Sequence, residues 1–328
     1  MKEIIITPRE AGQRLDKYLG KYLREAPKSF IYKMLRKKNI TLNGKKADGS
    51  EKVQERDVVR LYFAEDTLNK FTGIKEKQNR KVWPCRKLDI IYEDEQVCLI
   101  NKPAGMLSQK AKPEDVSLVE YFIGYLLQSG QITEQELARF QPSICNRLDR
   151  NTSGIVAAGK TMAGLQELSR LFHDRTMHKY YRCLVKGRIK EACYLEGYLI
   201  KDEKTNQVTI SKTSGPDSQP IQTEYRPVEV YEGLTLLEVK LITGRSHQIR
   251  AHLASVGHPI VGDAKYGDPR LNEYYRKTYG LKHQLLHSYR LELPELTGTL
   301  AHLSNRTFVA ELPQQFSSIL AAMRTEKT

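Results

Sequence analysis

The tripeptide Arg-Leu-Asp occurs twice in the chain, and the two copies have different surroundings. Asp16 lies in GQRLDKYL, at the expected start of a helix, where the partial positive charge of the helix N-terminus favours a carboxylate. Asp149 lies in NRLDRNTSG, ahead of turn-forming residues and the apolar strand GIVAAG. We interpret Asp16 as structural. Asp149 either caps its own turn or is a reactive carboxylate that the turn holds still.

The cysteines and histidines give no sign of a disulfide scaffold or a metal site. The five cysteines are scattered without a C-x-x-C pair, and the eight histidines form no ligand pair in an acidic frame. This pattern favours a reducing cytoplasm. No apolar run approaches the roughly 18 residues of a membrane span, and the start MKEIIITPRE lacks the apolar core of a signal peptide.

The positive charge of the chain is concentrated near its N-terminus. With 53 Lys and Arg against 39 Asp and Glu, the net charge is +14, which favours a polyanionic partner such as nucleic acid. Residues 14–46 hold eleven basic and two acidic residues, a local charge of +9. A charge run is usually a solvated helix face, but this imbalance favours phosphate binding. The candidate RNA-binding residues, here called the basic surface, are Arg14, Lys17, Lys33, Arg36, Lys37, Lys38 and Lys45.

The elements that must position these residues fall into two predicted units. Residues 1–65, the N-terminal unit, show two amphipathic helical patterns, a β-ribbon around Asn43-Gly44 and the strand DVVRLYF. Residues 66–87 are polar and lysine-rich, which is typical of a linker with partial order. Residues 88–328, the larger unit, alternate β-rich and helical patterns without a fixed repeat. We therefore predict an α+β fold with a mixed, largely antiparallel sheet and flanking helices, preceded by a small α/β-ribbon domain.

Five blocks of the larger unit resemble RNA pseudouridine synthases, in the group that modifies ribosomal and some transfer RNA uridines. RLDRNTSG resembles the central motif of that family. The other blocks follow in the family's order: IIYEDEQVCLINKPAGMLS, MHKYYRCLVKG, LITGRSHQIRAHLASVGHPIVGDAKYG and LLHSYRLELP. The N-terminal unit resembles the small RNA-binding module named after ribosomal protein S-four, through RLDKYL and ITLNGK. The two resemblances cover nearly the whole chain and imply the pseudouridine synthase fold.

The resemblance implies a reaction in which the glycosidic bond of uridine breaks and the uracil rejoins through carbon 5. Asp149 is then the acting carboxylate, and attack on the sugar, attack on the base and elimination to a glycal all remain open. Arg250 is the implied partner that keeps a buried Asp149 charged. Tyr181, two residues after Lys179, is implied to stack on the uracil and move a proton. Tyr180 is the register alternative, on the opposite face of its strand.

Two further residues have implied roles at the RNA. Arg147 is expected to fill the gap that a flipped uridine leaves, although a surface arginine can equally be an incidental ion-pair partner. Ile249 is expected to pack beneath the uracil, although a role in the hydrophobic core explains this residue equally well. Asn146 stands where many of these enzymes have histidine, which we interpret as tolerated because the chemistry assigns that side chain nothing. The polar segment 202–220 is predicted as a surface hairpin without a catalytic role.

The implied enzyme needs no cofactor and no metal, and its partner is structured RNA. Large-subunit ribosomal RNA is favoured over transfer RNA, because the N-terminal unit gives a second grip on a large folded target. The chain is predicted to be a cytoplasmic monomer without an obligate protein partner and away from membranes. A noncatalytic ribosome-assembly factor is the alternative, but it has no evident need of Asp149, Tyr181 and Arg250 together. A DNA-binding regulator is weaker still, because no dimerisation segment or major-groove motif is recognisable.

Overall fold

Two β-sheets with separate hydrophobic cores organise the chain in the computed structural model, which describes residues 1–72, 82–202, 205 and 207–325. In chain order the first elements are β1 Lys2–Ile5, α1 Leu15–Tyr22, α2 Lys28–Arg36, β2 Ile40–Leu42, β3 Lys45–Lys46, β4 Val58–Leu61 and α3 Glu65–Thr72. They are followed by β5 Ile90–Glu93, β6 Val97–Lys102, α4 Leu118–Gln128, α5 Glu134–Arg139, β7 Ser143–Ile144, β8 Ser153–Gly159, α6 Met162–His173 and β9 His178–Lys186. The remaining elements are β10 Cys193–Asp202, β11 Gln207–Ser211, β12 Gln219–Val230, β13 Leu234–Leu241, α7 Gln248–Ser255, α8 Pro269–Tyr279, β14 Leu286–Glu292, β15 Thr307–Val309 and α9 Gln314–Thr325.

The N-terminal unit has the predicted helices, ribbon and strand. Its sheet has the order β1-β4-β2-β3, and its pairings are antiparallel. The apolar sides of α1 and α2 cover the sheet, with Leu15, Leu19 and Leu35 almost completely buried. Asn43 and Gly44 have φ angles of 52° and 75°, the positive values that a type I′ turn requires. Strand β1 was not predicted, because four residues before a proline carry little periodicity.

Part of the predicted linker is a helix. Leu68 and Phe71 of α3 pack against the hydrophobic core of the N-terminal unit, and the rings of Phe71 and Phe30 lie 4.5 Å apart. Residues 73–81 of the same segment lie outside the described residues. The domain boundaries at residues 65 and 88 remain a prediction.

The larger sheet is mixed and largely antiparallel, as predicted. Its strand order is β11-β10-β12-β13-β9-β14-β8-β6-β5, with β15 beside β14 and β7 beside β8. Among the described pairings of named strands, β14 with β8 is the parallel one. Ser288 of β14 lies opposite Tyr181 of β9 on one side and Gly154 of β8 on the other. Strand β14 therefore lies between β8, which follows Asp149, and β9, which carries Tyr181.

Helices flank both faces of this sheet. Helix α4 and part of α7 share a core with Tyr181, whereas α6 packs on apolar residues of β6 and β8 that point the other way. Helices α7 and α8 were missing from the sequence prediction. For α8 the signals were present, because Asp268 caps its N-terminus and Gly280, at φ 64°, ends it. Within the described ranges, no helix is long and apolar enough to cross a bilayer.

The N-terminal unit contacts the larger unit through helix α5. The Arg139 guanidinium lies 3.5 Å from the buried Glu10 carboxylate and 5.6 Å from the centre of the Tyr22 ring. The Arg24 guanidinium donates to the carbonyl oxygen of Ala138 at 2.8 Å. Arg24 therefore belongs to the contact between the two units, although it lies inside the basic stretch of the sequence.

Gly154 decides how closely β8 and β14 approach each other just after the Asp149 loop. Its φ is +111°, and a Cβ atom at this position would lie 2.2 Å from the carbonyl oxygen of Ser288. We expect Gly154→Ala to lower the free energy of unfolding by at least about 2–3 kcal/mol, because strain and overlap both act on backbone. Chemical denaturation measures the change.

Gly20→Ala is the matched control. Gly20 lies inside α1, and a Cβ there meets no atom within 4 Å. Alanine should leave stability unchanged or raise it by up to about 1 kcal/mol, since it favours the helix. Equal stability of the Gly154→Ala protein and the native protein would contradict this account of the strand contact.

Candidate active site

Asp149 lies in the loop between β7 and β8, and neighbouring segments fix the backbone of that loop. The buried Ser108 hydroxyl donates to the Leu148 carbonyl oxygen at 2.7 Å and accepts from the Leu148 amide at 3.0 Å. The Gln284 amide nitrogen donates to the Thr152 hydroxyl at 2.9 Å. The loop closes on itself through the Thr152 amide, which donates to the Asp149 carbonyl oxygen at 3.1 Å. A loop held at so many points presents its carboxylate in one place.

Arg250 of α7 joins this carboxylate to a second, fully buried one. Arg250 Nη1 donates to Asp149 Oδ2 at 2.8 Å. Its Nε and Nη2 donate to the two oxygens of Asp263 at 2.7 and 2.8 Å, and the Asp263 side chain has no exposed surface. We call Asp149, Arg250 and Asp263 the carboxylate–guanidinium cluster. The bidentate bond to Asp263 fixes the plane of the guanidinium and so the direction from which Asp149 is held.

The electrostatics of the cluster follow from this geometry. Burial raises the pKa of Asp263, but the hydrogen bonds and charge of Arg250 outweigh burial and bring that pKa below its ordinary value. Burial acts to lower the pKa of Arg250, and its two aspartate partners raise that pKa on balance. Two carboxylates on one guanidinium leave the cluster with a net negative charge when all three groups are ionised.

The Asp149 carboxylate is not buried as the sequence analysis expected, because 26% of its side chain is exposed. Oδ2 is held by Arg250, whereas Oδ1 accepts no hydrogen bond from any residue that the structure describes. The alternative that Asp149 merely caps its own turn has no support in its side-chain bonds. One oxygen is fixed and the other has no hydrogen-bond partner among the described residues, so it is available to act as a nucleophile or to stabilise positive charge.

Tyr181 and Ile249 lie beside the same loop. Both are buried, at 6% and 5% exposure, in one hydrophobic cluster with Leu148. Burial raises the pKa of the Tyr181 hydroxyl to about 12, with a smaller lowering by its hydrogen bond to Ser288 and a smaller raising by the charge of Asp149. The tyrosine is therefore protonated at neutral pH.

Tyr180, the alternative in the sequence analysis, points to the other face of the sheet. Its ring lies 3.9 Å from the guanidinium carbon of Arg290. Both line a cleft of about 270 Å³ that also contains the buried Glu238. None of the residues lining this cleft belongs to the carboxylate–guanidinium cluster, whereas Tyr181 shares a hydrophobic cluster with Leu148 and Ile249. The choice of Tyr181 over Tyr180 remains a prediction.

Arg147 and Asn146 precede Leu148 and face different surroundings. Arg147 is exposed and has no hydrogen-bond or ion-pair partner among the described residues. The Asn146 side chain accepts from the Ala157 amide at 2.8 Å and donates to the Ile155 carbonyl oxygen at 3.3 Å. Asn146 thus completes the backbone bonding of β8, which gives a structural reason for an amide at this position.

The side chains of the basic surface are exposed. Arg14 differs from the others, because its guanidinium pairs with Asp16 through two contacts of 3.1 Å. Asp16 also accepts from the Lys17 amide at 2.8 Å and from the Tyr32 hydroxyl at 2.8 Å. The carboxylate in the first copy of Arg-Leu-Asp therefore has a structural role at the start of α1, as predicted.

Comparison with known proteins identifies the family. Residues 96–255 match the RNA pseudouridylate synthase family, and residues 13–59 match the S4 domain. The chain is 33% identical to ribosomal large subunit pseudouridine synthase C of Pasteurella multocida over 331 aligned positions, which cover 100% of this chain and 95% of the relative. The chain belongs to the RNA pseudouridylate synthase family. The Vibrio vulnificus protein of the same name is 30% identical, with coverage of 97% and 95%.

A solved structure of another protein has the same fold as the larger unit. The human protein RNA Pseudouridylate Synthase Domain Containing 4 superimposes with a TM-score of 0.58 at 22% identity, over 72% of this chain and 92% of the human chain. The larger unit therefore has the pseudouridine synthase fold that its sequence motifs imply.

Several residues of this pseudouridine synthase site were not singled out from the sequence. Asp263 and Tyr266 lie in VGDAKYG, His247 in GRSHQIR and Lys102 in NKPAG, all inside blocks that the sequence analysis quoted. Lys102 is fully buried, and its ammonium donates to three backbone carbonyl oxygens, among them that of Arg150 at 3.2 Å. Burial lowers the pKa of Lys102 to about 7. The available signal was a polar or ionisable residue inside a family block, beside glycine for Asp263 and beside proline for Lys102, but the distances between these residues were not in the sequence.

The buried ion pair between Arg250 and Asp263 should make the stability of the protein depend on pH. At pH 7 we expect Asp263→Asn to lower the free energy of unfolding by about 3–5 kcal/mol, because it removes the charge that Arg250 needs in the interior. The pKa of Asp263 is lower in the folded protein than its ordinary 3.8, so its contribution exists above pH 3.8 and is lost as the pH falls through the folded value. The difference between native and variant protein should therefore shrink below pH 3.8.

Denaturant titrations at several pH values measure this difference. The exposed Asp217, substituted by asparagine, is the control and should change stability by less than about 0.5 kcal/mol. A loss of stability in Asp263→Asn that is the same at pH 3 and pH 7 would show that charge is not its cause.

Proposed function

We propose that this pseudouridine synthase isomerises uridine to pseudouridine in large-subunit ribosomal RNA, with Asp149 as the acting carboxylate. The observation that carries the proposal is the Asp149 carboxylate, of which Arg250 holds Oδ2 while Oδ1 has no partner among the described residues, and whose charge acts on the nearby Tyr181. The relatives named for activity on the ribosomal large subunit match the chain over nearly its whole length, which supports that substrate.

In the proposed reaction, the bond between N1 of uracil and C1′ of ribose breaks and a bond between C5 and C1′ forms. The open oxygen of Asp149 stabilises positive charge at the reacting centre or bonds to it covalently. Arg250 keeps the carboxylate in position, and this hydrogen bond does not need to break during the reaction. The hydrogen on C5 leaves as a proton after the new bond forms, and the N1 atom freed from C1′ takes up a proton, so the product is an isomer of uridine and the reaction needs no net oxidant or reductant.

We assign Tyr181 and Ile249 to contacts with the uracil ring. Tyr181 offers a flat apolar face, and its pKa of about 12 keeps its hydroxyl a hydrogen-bond donor at neutral pH. Arg147 is assigned to the space that the flipped uridine leaves, because it is exposed two residues before Asp149 and has no partner in the described structure. Flipping costs a few kcal/mol, which contacts to the RNA must offset.

The basic surface of the N-terminal unit is assigned to the RNA backbone. Its side chains are exposed on α1, α2 and the β2–β3 ribbon or on the residues directly next to these elements, where phosphates can reach them. The contacts of Arg139 and Arg24 join this unit to the larger one, so the basic surface and the active site bind the same RNA molecule. We also propose that the protein works as a monomer in the cytoplasm, and its five free thiols suit a reducing compartment.

Asp149→Asn tests the assignment of the carboxylate. We expect the rate of pseudouridine formation to fall by more than about 100-fold, because an amide neither attacks carbon nor stabilises positive charge as a carboxylate does. RNA affinity should stay within about twofold, since Arg147 and the basic surface are unchanged. Single-turnover assays on large-subunit RNA, beside filter binding, measure the two quantities.

Asp16→Asn is the control, because it changes the aspartate in the other copy of Arg-Leu-Asp. It should leave the single-turnover rate at saturating enzyme unchanged. Substantial turnover by Asp149→Asn would refute the assignment of Asp149, and absence of pseudouridine formation by the native protein on ribosomal RNA would refute the proposed substrate.

A triple substitution tests the basic surface. Replacing Arg36, Lys37 and Lys38 by glutamine should weaken RNA binding. It should also reduce the slope of log affinity against log salt by about 2–3, because three phosphate contacts and their released counterions are lost. Titrations at several salt concentrations give the slope. The control replaces Lys190, Arg270 and Lys277, which are exposed on the larger unit, and should change the slope less. An equal change in both proteins would contradict a dedicated surface on the N-terminal unit.

A further inference from the structure

Tyr266 links the carboxylate–guanidinium cluster to the edge of the large sheet. It follows Asp263 in the chain, and its amide donates to Asp263 Oδ1 at 3.1 Å. Its side chain packs against the small hydrophobic cluster that includes Leu199 of β10 and Val208 of β11. Strands β10 and β11 form the hairpin at that edge, and β11 is the last strand of the sheet. One aromatic side chain therefore touches both the site and the hairpin.

The hydroxyl of Tyr266 makes two hydrogen bonds, one to the hairpin and one to His247. The Val208 amide donates to it at 2.9 Å, so its oxygen is an acceptor on the hairpin side. His247 Nδ1 lies 3.0 Å from the same oxygen. Since a phenol carries one hydrogen, the Tyr266 hydroxyl can donate it to an unprotonated Nδ1. The proton of a neutral His247 then lies on Nε2, which is 3.9 Å from Asp149 Oδ2.

The ring of Tyr266 makes the second connection. The guanidinium carbon of Arg250 lies 5.1 Å from the centre of the ring, a distance at which the ring attracts the cation. The rings of Tyr266 and His247 meet edge to face at 5.7 Å between their centres. His247 itself has a left-handed backbone conformation, with φ 56°, at the start of α7. A strained residue persists where its surroundings hold it, and the Tyr266 hydroxyl is one of the contacts that do so.

We propose that Tyr266 is a positioning residue that couples the β10–β11 hairpin to the orientation of Arg250 and Asp149. Exposed polar residues of β11 and the exposed Lys212, which directly follows β11, lie at the sheet edge, where an RNA strand can press on the hairpin. A movement of β11 displaces the Tyr266 hydroxyl, and the ring transmits the displacement to the guanidinium that holds Asp149. The coupling rests on the proposed function for its RNA partner, whereas the linkage through Tyr266 rests on the contacts alone.

Tyr266→Phe tests the coupling, because it keeps the ring beside Arg250 and removes both bonds of the hydroxyl. We expect the single-turnover rate at saturating enzyme to fall by about 10-fold, since small misplacements of reacting groups cost this much or more. The dissociation constant for RNA should stay within about twofold. Tyr266→Ala, which also removes the ring, should be slower still. Tyr274→Phe is the control for the substitution, because Tyr274 is exposed on α8.

Val208→Pro removes the same hydrogen bond from the hairpin side. A proline nitrogen carries no hydrogen, and its Cδ would stand where the Val208 amide hydrogen now points to the Tyr266 hydroxyl, so the substitution also displaces that hydroxyl. Val208→Ala keeps the amide and is its control. If Val208→Pro and Tyr266→Phe break the same linkage, the protein that carries both substitutions should react no more slowly than the slower of the two single variants. If the two fold reductions in rate multiply in the double variant, the coupling is overturned. A Tyr266→Phe rate equal to that of the native protein would overturn it as well.

A measurement without turnover separates this proposal from the proposed function. Nitrogen NMR of histidine-labelled protein should show His247 with an unprotonated Nδ1 in the native chain. Both Tyr266→Phe and Val208→Pro should increase the Nδ1-protonated form, because the donor to Nδ1 is lost or displaced. An unchanged tautomer ratio in both variants would overturn the linkage even if the native protein is active. A native protein with this tautomer but without activity would instead overturn the proposed function.

Discussion

The site depends on the division of one guanidinium between two carboxylates of unequal exposure. Arg250 offers five donors in a rigid planar fork, and Asp263 takes the Nε and Nη2 side from the interior. A single nitrogen remains for Asp149, which leaves one carboxylate oxygen open. A bidentate bond to Asp149 would have occupied both oxygens. The geometry around the open oxygen therefore depends on the fully buried Asp263 as much as on the partly exposed Asp149.

This arrangement is stable because the backbone around it is fixed before any substrate arrives. Strand β14 stands between the strand that follows Asp149 and the strand that carries Tyr181, and Gly154 permits the close approach of β8. The Lys102 ammonium and the Ser108 hydroxyl hold the neighbouring loop by its carbonyl oxygens. Such preorganisation is a main source of catalytic power where the protein supplies position and charge rather than a cofactor.

The two units of the chain use electrostatics at different ranges. The basic surface is exposed, so its attraction for phosphate acts over about a Debye length and weakens with salt. The carboxylate–guanidinium cluster is largely buried, and its short contacts are screened much less. Arg139 and Arg24 connect the two units through an ion pair and a backbone hydrogen bond. Salt should thus act on capture of the RNA more than on the chemical step.

The sequence by itself determined the fold class, most helices and strands, the family and the contrast between Asp16 and Asp149, because periodicity, turn residues and motif letters are local along the chain. It also favoured Tyr181 over Tyr180, because Tyr181 stands two residues after Lys179, as in the family pattern. Only the tertiary structure decided that Arg250 is shared, that Asp149 is partly exposed, and that Asp263, His247 and Tyr266 surround them. Those facts depend on distances between side chains that lie 13 residues apart for Arg250 and Asp263 and 101 residues apart for Arg250 and Asp149, which tertiary packing sets and no local pattern records.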